Sequence, residues 1–217
     1  MTRSQKKASV PSAPSLNRRE ELLDRAGELM AAKGYDGTSM RDIATAVGML
    51  PGSLYYHFDS KESLFLALHQ RVVTVMETRV RDALARAGQD GLGPWDRLEA
   101  ASTAHLEGLI ETGNLVAIVS PEFLGEREGI SSQIRVERRR YEQIFRELFA
   151  ALTLPEDVDR TVLRLHLFGA LNWAPIWFDI TKGHDARSVA RQIVAVFRTA
   201  YADKGQEQMT ASSREVT

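Results

Sequence analysis

The stretch GMLPGSLYYHF, residues 48–58, places small residues in front of aromatic ones. Gly52 and Ser53 carry almost no side chain, so a backbone at that point can approach a base edge or a phosphate closely. Tyr55, Tyr56 and His57 offer phenol and imidazole groups that bond phosphate oxygens, contacts that set register more than sequence. Leu54 and Phe58 lie four residues apart, on the one face that would hold a short helix against its neighbours. The chemistry suggested is contact with nucleic acid. The other reading of the same residues is a pair of tyrosines at the edge of an ordinary core.

Positioning such a segment needs a scaffold, and the flanking pattern is helical. From about Asn17, the residues Leu22, Ala26, Leu29 and Met30 recur at three- and four-residue spacing, and Gly34 stops the run. Thr38 or Ser39 caps a second, short helix with Met40, Ile43, Ala44 and Val47 on its apolar face, and Gly48 ends it. Pro51 then stands at the first position of a third helix, where its missing N–H costs nothing. Ser60 caps a fourth helix, Lys61 to about Ala87, striped by Leu64, Leu68, Val72, Val75, Val80 and Leu84. GQDGLGP, 88–94, breaks it. Further helical stretches are expected at about 95–112, 130–152, 155–182 and 186–203, with an element of open type at 114–120. No period-two strand pattern occurs, so the expected class is all-α with roughly nine helices.

The expected division is a disordered basic leader over 1–16, a helix-turn-helix domain over 17–60, a helical domain over 61–204 and a flexible tail over 205–217. The net charge of −1 names no partner. Residues 1–60 hold eight basic and seven acidic side chains, so DNA binding there must rest on placement rather than bulk charge. Arg3, Lys6, Lys7, Arg18 and Arg19 precede any acid and offer phosphate contacts, or simply a solvated leader.

Other chemistries find little support. The chain has no cysteine, which removes disulfides and thiolate sites and suits a cytoplasmic protein. The five histidines, His57, His69, His105, His166 and His184, form no HExxH motif or i,i+4 pair, so no metal site, cofactor or catalytic residue is expected. The most apolar stretch, Val162 to Ile180, contains Arg164, His166, Asn172, Pro175 and Asp179, which fits a buried helix better than a membrane span.

Residues 18–68, RREELLDRAGELMAAKGYDGTSMRDIATAVGMLPGSLYYHFDSKESLFLAL, resemble the N-terminal domain of the tetracycline-repressor (TetR) family. The resemblance implies a three-helix DNA-binding domain joined by a fourth helix to a ligand-binding and dimerisation domain. It implies a transcriptional regulator, by family default a repressor of a palindromic operator. It places Arg41 where the family often contacts a base or phosphate, with Ser39 and Met40 beside it; an arginine there can fork onto guanine O6 and N7. Pro51, Gly52 and Ser53 match the front of the recognition helix. Tyr55, Tyr56, His57 and Lys61 match positions that touch backbone or neighbouring bases. Leu50 and Pro51 bring no donors, so base readout should be sparse. A helical scaffold without DNA recognition is the alternative.

The resemblance further implies a homodimer through the last two long helices. Leu163, Leu167, Val189, Ile193, Val196, Phe197 and Ala200 are the expected interface, although the same stripe also reads as core. GALNWAPIW, 169–177, resembles the corresponding helix of TetR-family regulators of fatty-acid and steroid catabolism, several of which respond to acyl-CoA thioesters. That implies a small hydrophobic effector. The expected pocket residues are Phe168, Asn172, Trp173 and Trp177 on a helix kinked by Pro175, with Arg138, Arg139 and Tyr141 from the preceding helix. Guanidinium groups there would suit phosphates. The plain reading of the arginines is a solvated helix face.

Overall fold

The computed structural model describes residues 13–113, 128–177 and 185–215. Among the described residues there are eight helices and no strand. They are α1 (Ala13–Lys33), α2 (Met40–Ala46), α3 (Pro51–Leu54), α4 (Lys61–Gln89), α5 (Pro94–Thr112), α6 (Glu128–Ala150), α7 (Arg160–Trp177) and α8 (Ala186–Glu215). The all-α class holds, with eight helices rather than nine; the uncertain element expected at 114–120 lies outside the described residues.

Local chemistry sets most of the boundaries. Gly34 at φ 75° and Gly48 at φ 65° make the turns after α1 and α2 in a region that disfavours any side chain. Ser39 and Asp42 form a reciprocal capping box at the start of α2, and Ser60 with Ser63 does the same for α4. The α7 helix starts at Arg160 rather than near 155, because the Asp159 carboxylate takes the N–H groups of Thr161 at 2.7 Å and Val162 at 3.2 Å. It remains helical through Pro175 to Trp177. The last helix passes its expected end near 203 and continues to Glu215.

Two cores organise the chain. The first joins Leu22, Leu23, Ala26 and Met30 of α1 to Ile43, Ala44, Leu54, Phe58, Leu64, Phe65 and Leu68. Ile130 and Ile134, from the start of α6, belong to this same cluster. The second core lies between the remainder of α4 and α5 to α8, with Phe145, Phe149, Leu98, Leu106, Leu167 and Leu171 at its centre. Helix α6 therefore seats one end in the first core and its body in the second.

Candidate functional site

The outer side of the head is built by α2 and α3. Leu54 and Phe58 are buried in the first core, where α3 packs on α2, and this turns Leu50, Tyr55 and Tyr56 outward at 77%, 51% and 86% exposure. Pro51, Gly52 and Ser53 are exposed beside them, and so is Arg41 on α2. His57 is half-buried and meets Tyr56 edge to face at 5.6 Å. The surface presents small groups, phenols and one guanidinium together, with no acid in α3.

Three residues placed at this surface by the sequence have other work. The Lys61 ammonium donates to the backbone carbonyls of Tyr35 at 2.9 Å and Thr38 at 3.0 Å, and it lies 4.3 Å from the centre of the Tyr35 ring. Two of its three protons thus fasten the turn between α1 and α2 to the start of α4. The Ser39 hydroxyl caps α2, accepting from Asp42 N–H at 3.1 Å and donating to the Asp42 carboxylate at 2.6 Å. The Ser39 hydroxyl, and then its backbone N–H at 2.9 Å, donate to the Asp42 carboxylate and hold it below the usual carboxylate range. Met40 is half-buried against the head core. Arg18 and Arg19 are also engaged. Arg18 donates to the Val47 carbonyl at 3.2 Å and pairs with Glu21, while Arg19 stacks 4.9 Å from the Phe58 ring centre. Arg3, Lys6 and Lys7 lie outside the described residues.

A cavity of about 130 Å³ opens between α4, α5, α6 and α7, lined by Val73, Met76, His105, Leu109, Arg138, Tyr141, Glu142, Leu165, Phe168 and Asn172. Arg138, Tyr141, Phe168 and Asn172 meet there as expected. Trp173 and Trp177 do not: they stand on the outer face of α7, 62% and 51% exposed. Arg139 is likewise exposed and outside the lining. A larger open groove of about 540 Å³ lies among Arg81, Leu84, Arg97 and Glu147. Its charged side chains are all exposed, whereas the smaller cavity is walled in part by the buried His105, Tyr141 and Phe168, which makes it the better candidate ligand site.

At the inner end of that cavity lies His105, a residue the sequence reading passed over. Its Nδ1 is 2.6 Å from the Tyr141 hydroxyl and its Nε2 is 3.0 Å from Asn172 Oδ1. Tyr141, Phe145 and Phe168 surround the ring at 5.7, 5.9 and 5.6 Å. Burial pushes the imidazole down to about 4, against a weaker opposing bond from Asn172, so it is neutral near pH 7. Burial, and then the Glu77 carboxylate, push the Tyr141 phenol up, so it keeps its proton. The available signal was position: His105 falls four residues after Ala101 and four before Leu109, on the buried face of α5.

Ionic contacts tie α6 to its neighbours. The buried His69 on α4 donates from Nδ1 to Glu137 at 2.8 Å, and burial lowers its pKa although Glu137 opposes that. Glu142 receives Arg164 at 3.1 Å and Arg146 at 3.5 Å, and Arg140 reaches Glu77 at 3.4 Å. Among the described residues no group of three or more His, Asp or Glu side chains is placed to hold a metal ion, and no helix is long and apolar enough to cross a membrane.

The expected dimer residues divide by face. Leu163, Leu167 and Val189 are buried in the chain's own core at 4%, 0% and 5% exposure, which corrects their assignment to an interface. Ile193 and Phe197 are half-buried against that core, whereas Val196 and Ala200 remain outside. The exposed apolar face of α7 is instead Val162, Leu165, Trp173 and Ile176, with Gly169 between them. Helix α7 is apolar on both sides, so periodicity did not reveal which stripe turns inward.

A short helix with a bare front, presented by a three-helix head and joined to a helical domain with a cavity between its helices, defines a helix-turn-helix regulator. The chain belongs to the TetR family. Residues 22–68 match the family model for bacterial regulatory proteins of the tetR family, and residues 91–201 match that for the tetracyclin repressor-like C-terminal domain. The transcriptional repressor KstR2 of Rhodococcus jostii is 40% identical over 105 residues, covering 48% of this chain and 50% of that protein. KstR2 of Mycolicibacterium smegmatis is 26% identical over 193 residues, covering 86% of this chain and 91% of its own. Thus the chain spans half the length of the first relative and nearly all of the second. A crystal structure of AibR in complex with isovaleryl coenzyme A and operator DNA is 27% identical, with a TM-score of 0.69 over 82% of this chain and 97% of that one.

Proposed function

We propose that this chain is a homodimeric transcriptional repressor, released from a palindromic operator by a small hydrophobic effector of the acyl-CoA thioester class. The observation that carries the reading is the double attachment of α6. Its first turns place Ile130 and Ile134 in the core of the reading head, and Glu137 bonds His69. Its next turn places Arg138, Tyr141 and Glu142 on the cavity wall. A ligand that moves this helix acts on both units at once. The likeness to AibR, solved with isovaleryl coenzyme A and operator DNA, supports the effector class. The volume of about 130 Å³ suits a short acyl group or one ring, with the remainder of the effector outside and Arg138 beside it.

In this reading Arg41, Ser53, Tyr55 and Tyr56 meet DNA, and Val162, Leu165, Trp173 and Ile176 of α7 join Val196 and Ala200 of α8 against a second copy. The head occupies 17–60 and the sensor 61–204, and the protein works in the cytoplasm beside its DNA. Two heads about 34–36 Å apart meet successive major grooves. Ligand favours a state of different head spacing; moving from 1:99 to 99:1 needs about 5.5 kcal/mol of differential binding.

The test is a gel shift with purified protein and the DNA upstream of its gene, with and without isovaleryl coenzyme A and longer acyl-CoA thioesters. Specific binding released by one thioester is the expected result. Specific binding that no thioester disturbs refutes the effector class, and absence of specific binding at low salt refutes the regulator.

A further inference from the structure

The cavity holds a polar device that an acyl chain alone would not use. Tyr141, His105 and Asn172 form a hydrogen-bonded row in its wall, running from the buried Tyr141 and His105, at 8% and 3% exposure inside an aromatic cage, to Asn172 at the exposed rim. Three groups in a row make two bonds, so the ends keep unused capacity. With Oδ1 of Asn172 facing His105, Nε2 carries the imidazole proton and donates to it. Nδ1 must then accept from the Tyr141 hydroxyl, and the phenol oxygen is left to the cavity as an acceptor. Turning the Asn172 amide over and moving the imidazole proton to Nδ1 reverses the row. Asn172 then donates to Nε2, His105 donates to the phenol oxygen, and the Tyr141 hydroxyl proton is free. Both arrangements keep the two bonds of the row, and neither carries charge.

We infer that the Tyr141–His105–Asn172 row is the specificity element of the cavity, reading one neutral oxygen on the otherwise apolar buried part of the effector. A hydroxyl donates to the phenol oxygen in the first arrangement. A carbonyl accepts the phenol proton in the second. Of the remaining wall, Val73, Met76, Leu109, Leu165 and Phe168 are apolar and read only shape, while Arg138 and Glu142 are its charged members. His105 is a positioning residue here, while Tyr141 touches the ligand. The depressed imidazole pKa keeps the row uncharged near pH 7, so it selects an oxygen and not an anion. The inference rests on the sensor reading of this cavity, and it adds what the buried part of the effector must carry.

The experiment titrates the full-length protein with phenol, toluene and cyclohexanone, followed by amide chemical shifts. Phenol and toluene differ by a hydroxyl for a methyl in the same outline. Phenol and cyclohexanone should each bind at least about tenfold tighter than toluene, the worth of one hydrogen bond. In Tyr141→Phe that preference should fall to about threefold or less. Because that variant leaves His105 Nδ1 without its donor, Asn172→Ala at the exposed rim serves as a second variant, with the same loss expected. Long-range nitrogen–proton spectra of the His105 ring supply a signature that needs no variant: Nε2 protonated with phenol, Nδ1 protonated with cyclohexanone. Equal affinity for toluene and phenol overturns the inference. So does a preference that survives both variants, a ring proton that never moves, or no binding by any of the three. The gel shift without added ligand is read separately. Its failure refutes the regulator and leaves the oxygen selectivity standing, while the reverse result refutes only the present inference.

Discussion

Replacing Lys61 by Met separates a fastening role from a phosphate contact. The substitution keeps the apolar stem and removes the ammonium that bonds the Tyr35 and Thr38 carbonyls at 2.9 and 3.0 Å. A hydrogen bond from a charged donor is worth about 1.5–3 kcal/mol when buried. The half-exposed position calls for a discount, so the pair together with the ring contact contributes about 2–4 kcal/mol. For a chain of this size that corresponds to a fall of about 5–15 °C in Tm. The bonded carbonyls close the turn that sets α2 and α3 on α4, so operator affinity should fall as well. The salt dependence tells how. A lost phosphate contact reduces the slope of log affinity against log salt by about 0.9, whereas a loosened head leaves the slope unchanged. The assay is thermal unfolding of Lys61→Met together with operator titrations at four salt concentrations. The expected result is a lower Tm, weaker binding and an unaltered slope. An unchanged Tm with a slope shallower by one contact would refute the reasoning.

Arg41→Ala should show the opposite pattern, because its guanidinium is exposed. We expect operator affinity to fall at least about fivefold with Tm unchanged, and a variant binding at full strength removes Arg41 from the interface. Trp173→Glu with Ile176→Glu sets two carboxylates on the exposed face of α7. The dimer dissociation constant should rise at least about a hundredfold by sedimentation, and an undisturbed dimer places the interface elsewhere. Stability should fall in acid through His105. The unfolded chain takes up this proton near 6.5 and the folded one only near 4, so stability is fully present above pH 6.5 and lost on the way down to about 4. The difference is about 3 kcal/mol. Urea unfolding at the two ends of this range should show that loss in the natural chain and not in His105→Gln, and equal losses in both would exclude the imidazole as its source.

The head could be read from the sequence because its signals are local. Gly34 and Gly48 sit where the chain needs a positive φ, Ser39 and Ser60 cap the helices that follow, and Pro51 opens α3. The four-residue spacing of Leu54 and Phe58 fixed their inward face, and Tyr55 and Tyr56 then had to point out. Each of these inferences needs only neighbours within about one helical turn. The all-α class followed from the same short-range periodicity.

What required the tertiary structure depends on residues far apart in the chain. Lys61 reaches carbonyls 26 and 23 residues away, a fastening that no local pattern announces. His105 acquires its row from partners 36 and 67 residues distant, and no motif announces it. Ile130 and Ile134 look like any apolar pair until α6 lays them in the head core. Helix α7 carries one apolar stripe through Leu163, Leu167 and Leu171 and a second through Val162, Leu165 and Ile176, and either satisfies helical periodicity. Periodicity identifies that a face is apolar, and only the packing of α5, α6 and α8 around α7 decides which face is covered by the chain itself. The sequence alone therefore determined the reading head and the helical class. Packing determined the cavity, its polar row and which apolar face of α7 stays exposed, because those are properties of surfaces brought together and not of spacing along the chain.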